Sequence, residues 1–160
     1  MNRIPSALTA REDAALRRWS YQRIVTEAGA LLGHSTVEIA RTARMVTSID
    51  RHAGYDGIPN DTLRLFQRNI EVADITIPIV CVVGDAIAEL PKYPANFVFI
   101  DLCGTLAVTL AAIKAAKAQF IAVHDFQRQN CSGVGMAVEA SGLPVIERID
   151  SMVILRKYGI

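Results

Sequence analysis

The chain has 160 residues, of which 51% are hydrophobic and 21% are charged, and its formal net charge is +1. This length predicts about one domain with a sizeable core, and the balanced charge excludes a general electrostatic attraction to nucleic acid or to a membrane. Charged or polar residues interrupt every apolar run, so no membrane-spanning segment is expected.

The start of the chain and the cysteines indicate the compartment. The first residues, MNRIPSALTARED, lack the apolar stretch of a secretory signal. The three cysteines are widely spaced, and an odd number of separated cysteines is typical of reduced thiols rather than of a disulfide framework. We therefore expect a cytoplasmic protein.

The predicted elements begin with a helix. Thr9 and Glu12 form a potential capping box, which predicts a helix that ends near Trp19. Residues 1–22 are therefore expected to be an N-terminal helical segment, followed by a main domain of residues 23–160.

Short apolar runs then alternate with helical patterns, as is typical of a parallel sheet covered by helices. A first strand at residues 24–26 ends at Glu27, and a helix is predicted to begin just after Gly33, where Ser35 and Glu38 form a second potential capping box. Four more runs are predicted to be strands: residues 45–49, 79–83, 97–100 and 120–123. The run 79–83 is continuously apolar, which predicts burial on both faces.

The end of the chain has a different pattern. Residues 145–146 and 152–155 are two β runs that only residues 147–151 separate. A parallel crossover needs about a dozen residues, so these two strands are expected to pair antiparallel. The sequence thus predicts an α/β fold whose parallel sheet contains one reversed strand.

Polar residues collect where the predicted parallel strands end. In open α/β sheets a ligand lies beyond these carboxyl ends. One such residue means little, because turns favour Asp in any case, but here five successive strands end this way. The residues concerned are Glu27, Asp50, Asp85, Asp101, His124 and Asp125.

The first turn carries most of the functional signal. Gly29 and Gly33 allow a ligand to approach the backbone closely, but the G-x-G-x-x-G pattern of nicotinamide cofactor sites is absent. Glu27 would repel a pyrophosphate and attract an ammonium group, which favours the methionine part of S-adenosylmethionine. Asp50 follows Gly29 by about 20 residues, the spacing at which an acid meets ribose hydroxyls.

Two other interpretations of this turn are open. Gly29 and Gly33 could serve only close packing of helix on sheet, with Glu27 in solvent. A nicotinamide-dependent oxidoreductase is disfavoured by Glu27, by the missing glycine pattern and by the reversed strand in the tail.

The run of residues 25–36, VTEAGALLGHST, resembles the first motif of class I S-adenosylmethionine-dependent methyltransferases. Its E-x-G-x-x-x-G-x-S spacing is similar to that of the branch with catechol, caffeoyl-CoA and antibiotic-sugar O-methyltransferases. From about residue 23 onward the resemblance continues through the segments 46–50, 82–86, 97–101 and 123–125. It implies a three-layer Rossmann-like sheet of about seven strands, in the order 3-2-1-4-5-7-6 with strand 7 antiparallel.

The resemblance also implies which residues bind S-adenosylmethionine. Those that would contact its methionine part are Glu27, Gly29, Ala30, Gly33 and Ser35, the last at the carboxylate. Asp50 would hold the ribose hydroxyls, and Asp101 would lie beside the sulfonium. Those that would line the adenine are Gly84, Asp85 and Ala86.

A divalent metal is conceivable but not favoured. In metal-dependent members an acid after strand 4 and a pair of oxygen ligands after strand 5 bind magnesium, and Asp101 and Asp125 match two of these positions. Phe126, however, stands where a second oxygen ligand is often found, and residues 101–104 read Asp-Leu-Cys-Gly instead of the related D-G-D-H. Hard cations need several oxygen ligands, so we expect no metal.

The candidate catalytic residues are Asp101, His124 and Asp125. His124 could be a general base, because its unperturbed pKa lies close to working pH; equally, His124 and Asp125 could only shape the loop after strand 5. Methyl transfer itself requires mainly alignment of the two reactants.

The acceptor side is the least defined part. The chain lacks the longer N-terminal cap of related small-molecule enzymes, so this side is expected to be open or to be closed by a partner subunit, as in a homodimer. Trp19, Tyr21 and Tyr55 could line it, although burial of Trp19 in the core is the simpler interpretation. Arg17 and Arg18 could meet an anionic acceptor or simply form an exposed basic face.

The sequence therefore favours an S-adenosylmethionine-dependent methyltransferase that acts on oxygen of an unidentified acceptor. The alternative is a catalytically degenerate fold that serves as a cofactor- or partner-binding module, because a fold does not imply a function.

Overall fold

The structure is a computed structural model that describes residues 4–54, 61–102 and 104–158. Its strands are β1 (Ile24–Ala28), β2 (Met45–Asp50), β3 (Ile79–Val83), β4 (Phe97–Ile100), β5 (Phe120–Val123), β6 (Val145–Ile149) and β7 (Met152–Arg156). Its α-helices are α1 (Ala10–Ser20), α2 (His34–Ala40), α3 (Thr62–Val72), α4 (Ala86–Glu89), α5 (Leu106–Ala115) and α6 (Ser132–Ser141).

The seven strands form one sheet in the order β3-β2-β1-β4-β5-β7-β6. The first five strands run parallel, whereas β7 pairs antiparallel with both β5 and β6. The predicted strand order and the reversed last strand are confirmed. The cause of the reversal is the short β6–β7 connection, which leaves no room for a crossover.

Two hydrophobic clusters cover the two faces of the sheet. One packs α1 and α2 against Val25, Val46 and Phe99, and the other packs α5 and α6 against Ile100, Ile121 and Val153. Strands β1, β4 and β5 lie between these layers and pair in register, so their carboxyl ends lie side by side. Among the described residues, no helix has both the length and the apolar character needed to cross a membrane.

The capping box at α1 is confirmed: the Thr9 hydroxyl accepts from the backbone N–H of Glu12, and the Glu12 carboxylate accepts from that of Thr9. The second predicted capping box is wrong. Helix α2 does begin directly after Gly33, but Gly33 itself is the N-cap and no side chain caps the helix. The Glu38 carboxylate instead pairs with Arg17 and Arg41.

The prediction that residues 79–83 are buried on both faces is also wrong. Strand β3 is the edge of the sheet, and Val80 and Val83 are exposed. A continuous apolar run is compatible with either position, because only the sheet order decides which strand lies at the edge.

Candidate functional site at the carboxyl edge of the sheet

The turn between β1 and α2 is shaped by two left-handed glycines. Gly29 has φ +95° and Gly33 has φ +88°, values that residues with a side chain rarely adopt. A Cβ atom at Gly29 would lie 1.9 Å from the backbone oxygen of Asp101, so the end of β4 fills the space beside the turn. At Gly33 a Cβ atom would lie 3.0 Å from the ring of Phe66, so both glycines serve close packing.

Glu27 is completely buried, which rules out the interpretation that it lies in solvent. Its Oε2 accepts hydrogen bonds from Thr36 Oγ1 at 2.5 Å and from Ser48 Oγ at 2.9 Å. Its Oε1 has no hydrogen-bond partner among the described residues.

Burial raises the pKa of Glu27 to about 7, although the hydroxyls of Ser35, Thr36 and Ser48 oppose this shift. The Ser35 hydroxyl is near enough to act on the charge of Glu27 but does not meet hydrogen-bond geometry with it. A buried carboxylate oxygen without a donor is costly, and a cationic group would satisfy it.

Asp50 ends β2 and holds the glycine turn. Its Oδ2 accepts from the backbone N–H groups of Ala30 and Leu31, both at 2.8 Å, and its Oδ1 accepts from that of His52 at 2.7 Å. The same carboxylate that was predicted to hold ribose hydroxyls thus also fixes the backbone of the turn.

The residues after β3 lie at the same edge. The backbone N–H of Gly84 donates to the carbonyl of Asp50 at 2.9 Å. The Asp85 carboxylate caps α4 and pairs with Arg51, and the hydrogen bond from Arg51 lowers the pKa of Asp85. Ala86 is buried beneath it.

The ends of β4 and β5 bring Asp101, His124 and Asp125 together. His124 Nδ1 lies 3.1 Å from Asp101 Oδ1 and 3.3 Å from Asp125 Oδ1. The side chain of Asp101 is 29% exposed and that of Asp125 is 18% exposed, whereas that of His124 is only 1% exposed. An acceptor could therefore reach the two carboxylates but not the imidazole ring.

These three residues do not fit a magnesium ion. Their ligand atoms lie within 4.8 Å of one another, but one of the three is an imidazole and hard cations need several oxygen ligands. In addition, Arg128 Nη1 lies 2.9 Å from Asp125 Oδ1 and supplies positive charge there, although its N–H is not aligned for a hydrogen bond.

Two residues of α1 reach this edge and were not predicted as site residues. Glu12 lies 3.6 Å from His124, measured from Oε2 to Nε2, and Asp13 Oδ1 lies 2.9 Å from His34 Nε2. Both acids are buried. The sequence assigned Glu12 only to the capping box of α1. No periodicity in the sequence predicts that it lies near β5.

The aromatic residues suggested for the acceptor side lie elsewhere. Trp19 stacks on Phe97 and packs against Phe120, which begin β4 and β5, so it belongs to the core near the opposite edge of the sheet. Tyr21, just before β1, is at that edge too, and Tyr55 lies outside the described residues. Arg17 and Arg18 form ion pairs with Glu38 and Glu147.

No protein-family model matches the sequence, and no curated protein matches it significantly. Solved structures do share its fold. Cofactor-bound Rv0187 from MTB is 20% identical with a TM-score of 0.70, over 94% of this chain and 81% of that one. The O-methyltransferase TomG from Streptomyces achromogenes, involved in tomaymycin synthesis and in complex with S-adenosylmethionine, is 17% identical with a TM-score of 0.65, over 94% and 82%.

A third structure is the precorrin 8W decarboxylase from Methanobacterium thermoautotrophicum, which is 15% identical with a TM-score of 0.70, over 98% of this chain and 94% of that one. At such identities the comparisons show the fold, which is the Rossmann-like methyltransferase fold. One of these proteins is named an O-methyltransferase and another a decarboxylase, so the fold is compatible with more than one reaction.

Proposed function

We propose that this protein is an S-adenosylmethionine-dependent methyltransferase that transfers a methyl group to an oxygen atom of its acceptor. One observation carries the proposal. Glu27, whose buried Oε1 has no partner among the described residues, lies beside the left-handed glycine turn at the carboxyl edge of a methyltransferase-type sheet. A ligand with an ammonium group at one end satisfies this carboxylate.

The proposed binding mode follows the edge of the sheet. Glu27, the backbone at Gly29, Ala30 and Gly33, and the buried Ser35 hold the methionine part. Asp50 already accepts three backbone hydrogen bonds, and a carboxylate offers about four lone-pair sites, so one ribose hydroxyl can still donate to it. Gly84, Asp85 and Ala86 line the adenine, and Asp101 lies beside the sulfonium.

The cofactor supplies the activated methyl group, so the chain mainly aligns the acceptor oxygen with it. Asp101 and Asp125 are the partly exposed carboxylates that could take up the acceptor proton. His124 is buried and does not reach an acceptor. It therefore contributes to the site through its contact with Asp101. Nothing in the geometry specifically favours the alternative of a degenerate binding module. A cytoplasmic location and a homodimer stay predictions.

The test is calorimetric titration with S-adenosylmethionine, S-adenosylhomocysteine and NAD. We expect binding of both adenosyl ligands and none of NAD. Glu27→Ala should weaken the binding of both adenosyl ligands, because both contain the amino-acid end that Glu27 holds. Glu139→Ala, on the exposed side of α6, should leave the binding of both unchanged. Absence of adenosyl binding by the wild type, or an unchanged affinity of Glu27→Ala, would refute the proposed site.

Turnover needs a second measurement. A panel of hydroxylated acceptors with radiolabelled S-adenosylmethionine should give label transfer to at least one of them. Binding without transfer to any acceptor class would favour the degenerate module.

A further inference from the structure

A buried chain of contacts links α1 to the end of β4. The Thr9 N–H and the Ser151 backbone N–H both donate to Glu12, at 2.8 Å and 2.9 Å. The Ser151 hydroxyl lies 2.8 Å from Glu12 Oε1 and 3.3 Å from His124 Nε2. His124 Nδ1 in turn lies 3.1 Å from Asp101 Oδ1. Glu12 and His124 are buried, whereas Ser151 and Asp101 are half-buried.

The proton count along this chain defines the state of His124. An ionised carboxylate only accepts, so the single hydroxyl proton of Ser151 goes to Glu12 and its oxygen must accept from His124 Nε2. Asp101 likewise accepts from Nδ1. With Glu12 and Asp101 both ionised, all contacts are satisfied only when both ring nitrogens carry a proton, that is, when His124 is an imidazolium.

The charges around the ring agree with this state. Burial by itself lowers the pKa of His124, but the hydrogen bond and charge of Asp101 and the charges of Asp125 and Glu12 outweigh it, so the pKa is raised. These carboxylates face the ring from the ends of β4 and β5 and from α1. Arg128 lies behind Asp125 and contacts that carboxylate rather than the ring.

We propose that Glu12 and His124 are positioning residues that hold the Asp101 carboxylate at the sulfonium of the cofactor. This inference rests on the proposed function. The imidazolium engages Oδ1 of Asp101, and Glu12 keeps the ring in place from the far side. Helix α1 thereby contributes to the cofactor site through His124 and Asp101.

Two substitutions of His124 separate this role from a merely structural one. In His124→Asn the amide nitrogen replaces Nδ1 and can still donate to Asp101, whereas in His124→Gln it replaces Nε2 and donates to Ser151. We expect His124→Asn to keep S-adenosylmethionine affinity within about threefold. His124→Gln should lose about tenfold or more, because a hydrogen bond to a charged group is lost, and S-adenosylhomocysteine should be affected less. The reverse order, or equal behaviour of the two variants, would overturn the inference.

A second measurement uses the wild type and does not depend on the folding of these variants. NMR titration of the His124 ring should show a lower pKa with S-adenosylmethionine bound than with S-adenosylhomocysteine bound, because only the sulfonium competes for the charge of Asp101. The pKa should also fall in Glu12→Gln but not in the matched control Asp13→Asn, which contacts His34 instead. Equal His124 pKa values in both complexes would overturn the inference while leaving the proposed function intact. A wild type that binds neither ligand would instead refute the proposed function, and this inference with it.

Discussion

The backbone oxygen of Asp101 occupies the space in which a side chain at Gly29 would begin. A Cβ atom built there would lie 1.9 Å from that oxygen. The turn after β1 and the end of β4 are therefore in direct backbone contact, and both belong to the proposed cofactor site. A backbone displacement at Gly29 therefore moves the backbone at Asp101 directly, and the reverse also holds.

Gly29→Ala is expected to lower the free energy of unfolding by about 2 to 5 kcal/mol, because it adds a left-handed backbone penalty to a steric clash with the main chain. Chemical denaturation measures the effect, and cofactor binding should be lost with it. Gly135→Ala is the control: Gly135 lies within α6, where a new Cβ has only Phe126 at 4.0 Å, and the change should be neutral or stabilising by up to about 1 kcal/mol. Equal effects of the two substitutions would contradict this prediction.

Glu27→Gln should change how stability depends on pH. Burial raises the pKa of Glu27 from 4.5 to about 7 in the folded protein. Between these two pH values, the Glu27 carboxyl is ionised in the unfolded chain but still protonated in the folded protein. The wild type should therefore lose about 3 kcal/mol of stability, relative to Glu27→Gln, as the pH rises from 4 to 8.

Denaturation of both proteins at several pH values measures this difference. Glu139→Gln, an exposed change of the same chemistry, should run parallel to the wild type. Parallel curves for Glu27→Gln and the wild type would mean that Glu27 titrates normally.

Asp50→Asn should loosen the glycine turn. The carboxylate accepts from the N–H groups of Ala30, Leu31 and His52, and an amide nitrogen placed against one of these donors cannot accept. We expect a loss of about 1.5 to 3 kcal/mol in stability and at least tenfold weaker cofactor binding, measured by denaturation and calorimetry. Asp61→Asn, at the exposed start of α3, is the control and should change neither by a comparable amount. A variant with wild-type affinity would exclude Asp50 from the site.

Chelation should have no effect. Asp101, His124 and Asp125 supply too few oxygen ligands for a hard cation, and Arg128 occupies the position beside Asp125. We expect the same affinity for S-adenosylmethionine and the same methyl transfer with EDTA as with added magnesium. A tenfold loss of either in EDTA that magnesium restores would show that the metal-dependent pattern applies after all.

The sequence by itself determined the order of the elements, the reversed tail and the residues at the strand ends, because these follow from local periodicity and connection lengths. It also determined the Thr9–Glu12 capping box, which spans only one helical turn. The Ser35–Glu38 pair has the same local pattern and failed, because the helix begins at His34 with Gly33 as its N-cap, so Ser35 already lies inside it.

Only the tertiary structure decided the environment of each site residue. It buried Glu27 and His124, turned Asp50 toward the glycine turn, left β3 at the edge and brought Glu12 to the end of β5. The physical reason is that burial, charge proximity and hydrogen-bond partnership depend on residues far apart in the chain. Glu12 and Ser151 meet across nearly the whole sequence, and this contact, invisible to any local pattern, places the Ser151 hydroxyl between Glu12 and His124.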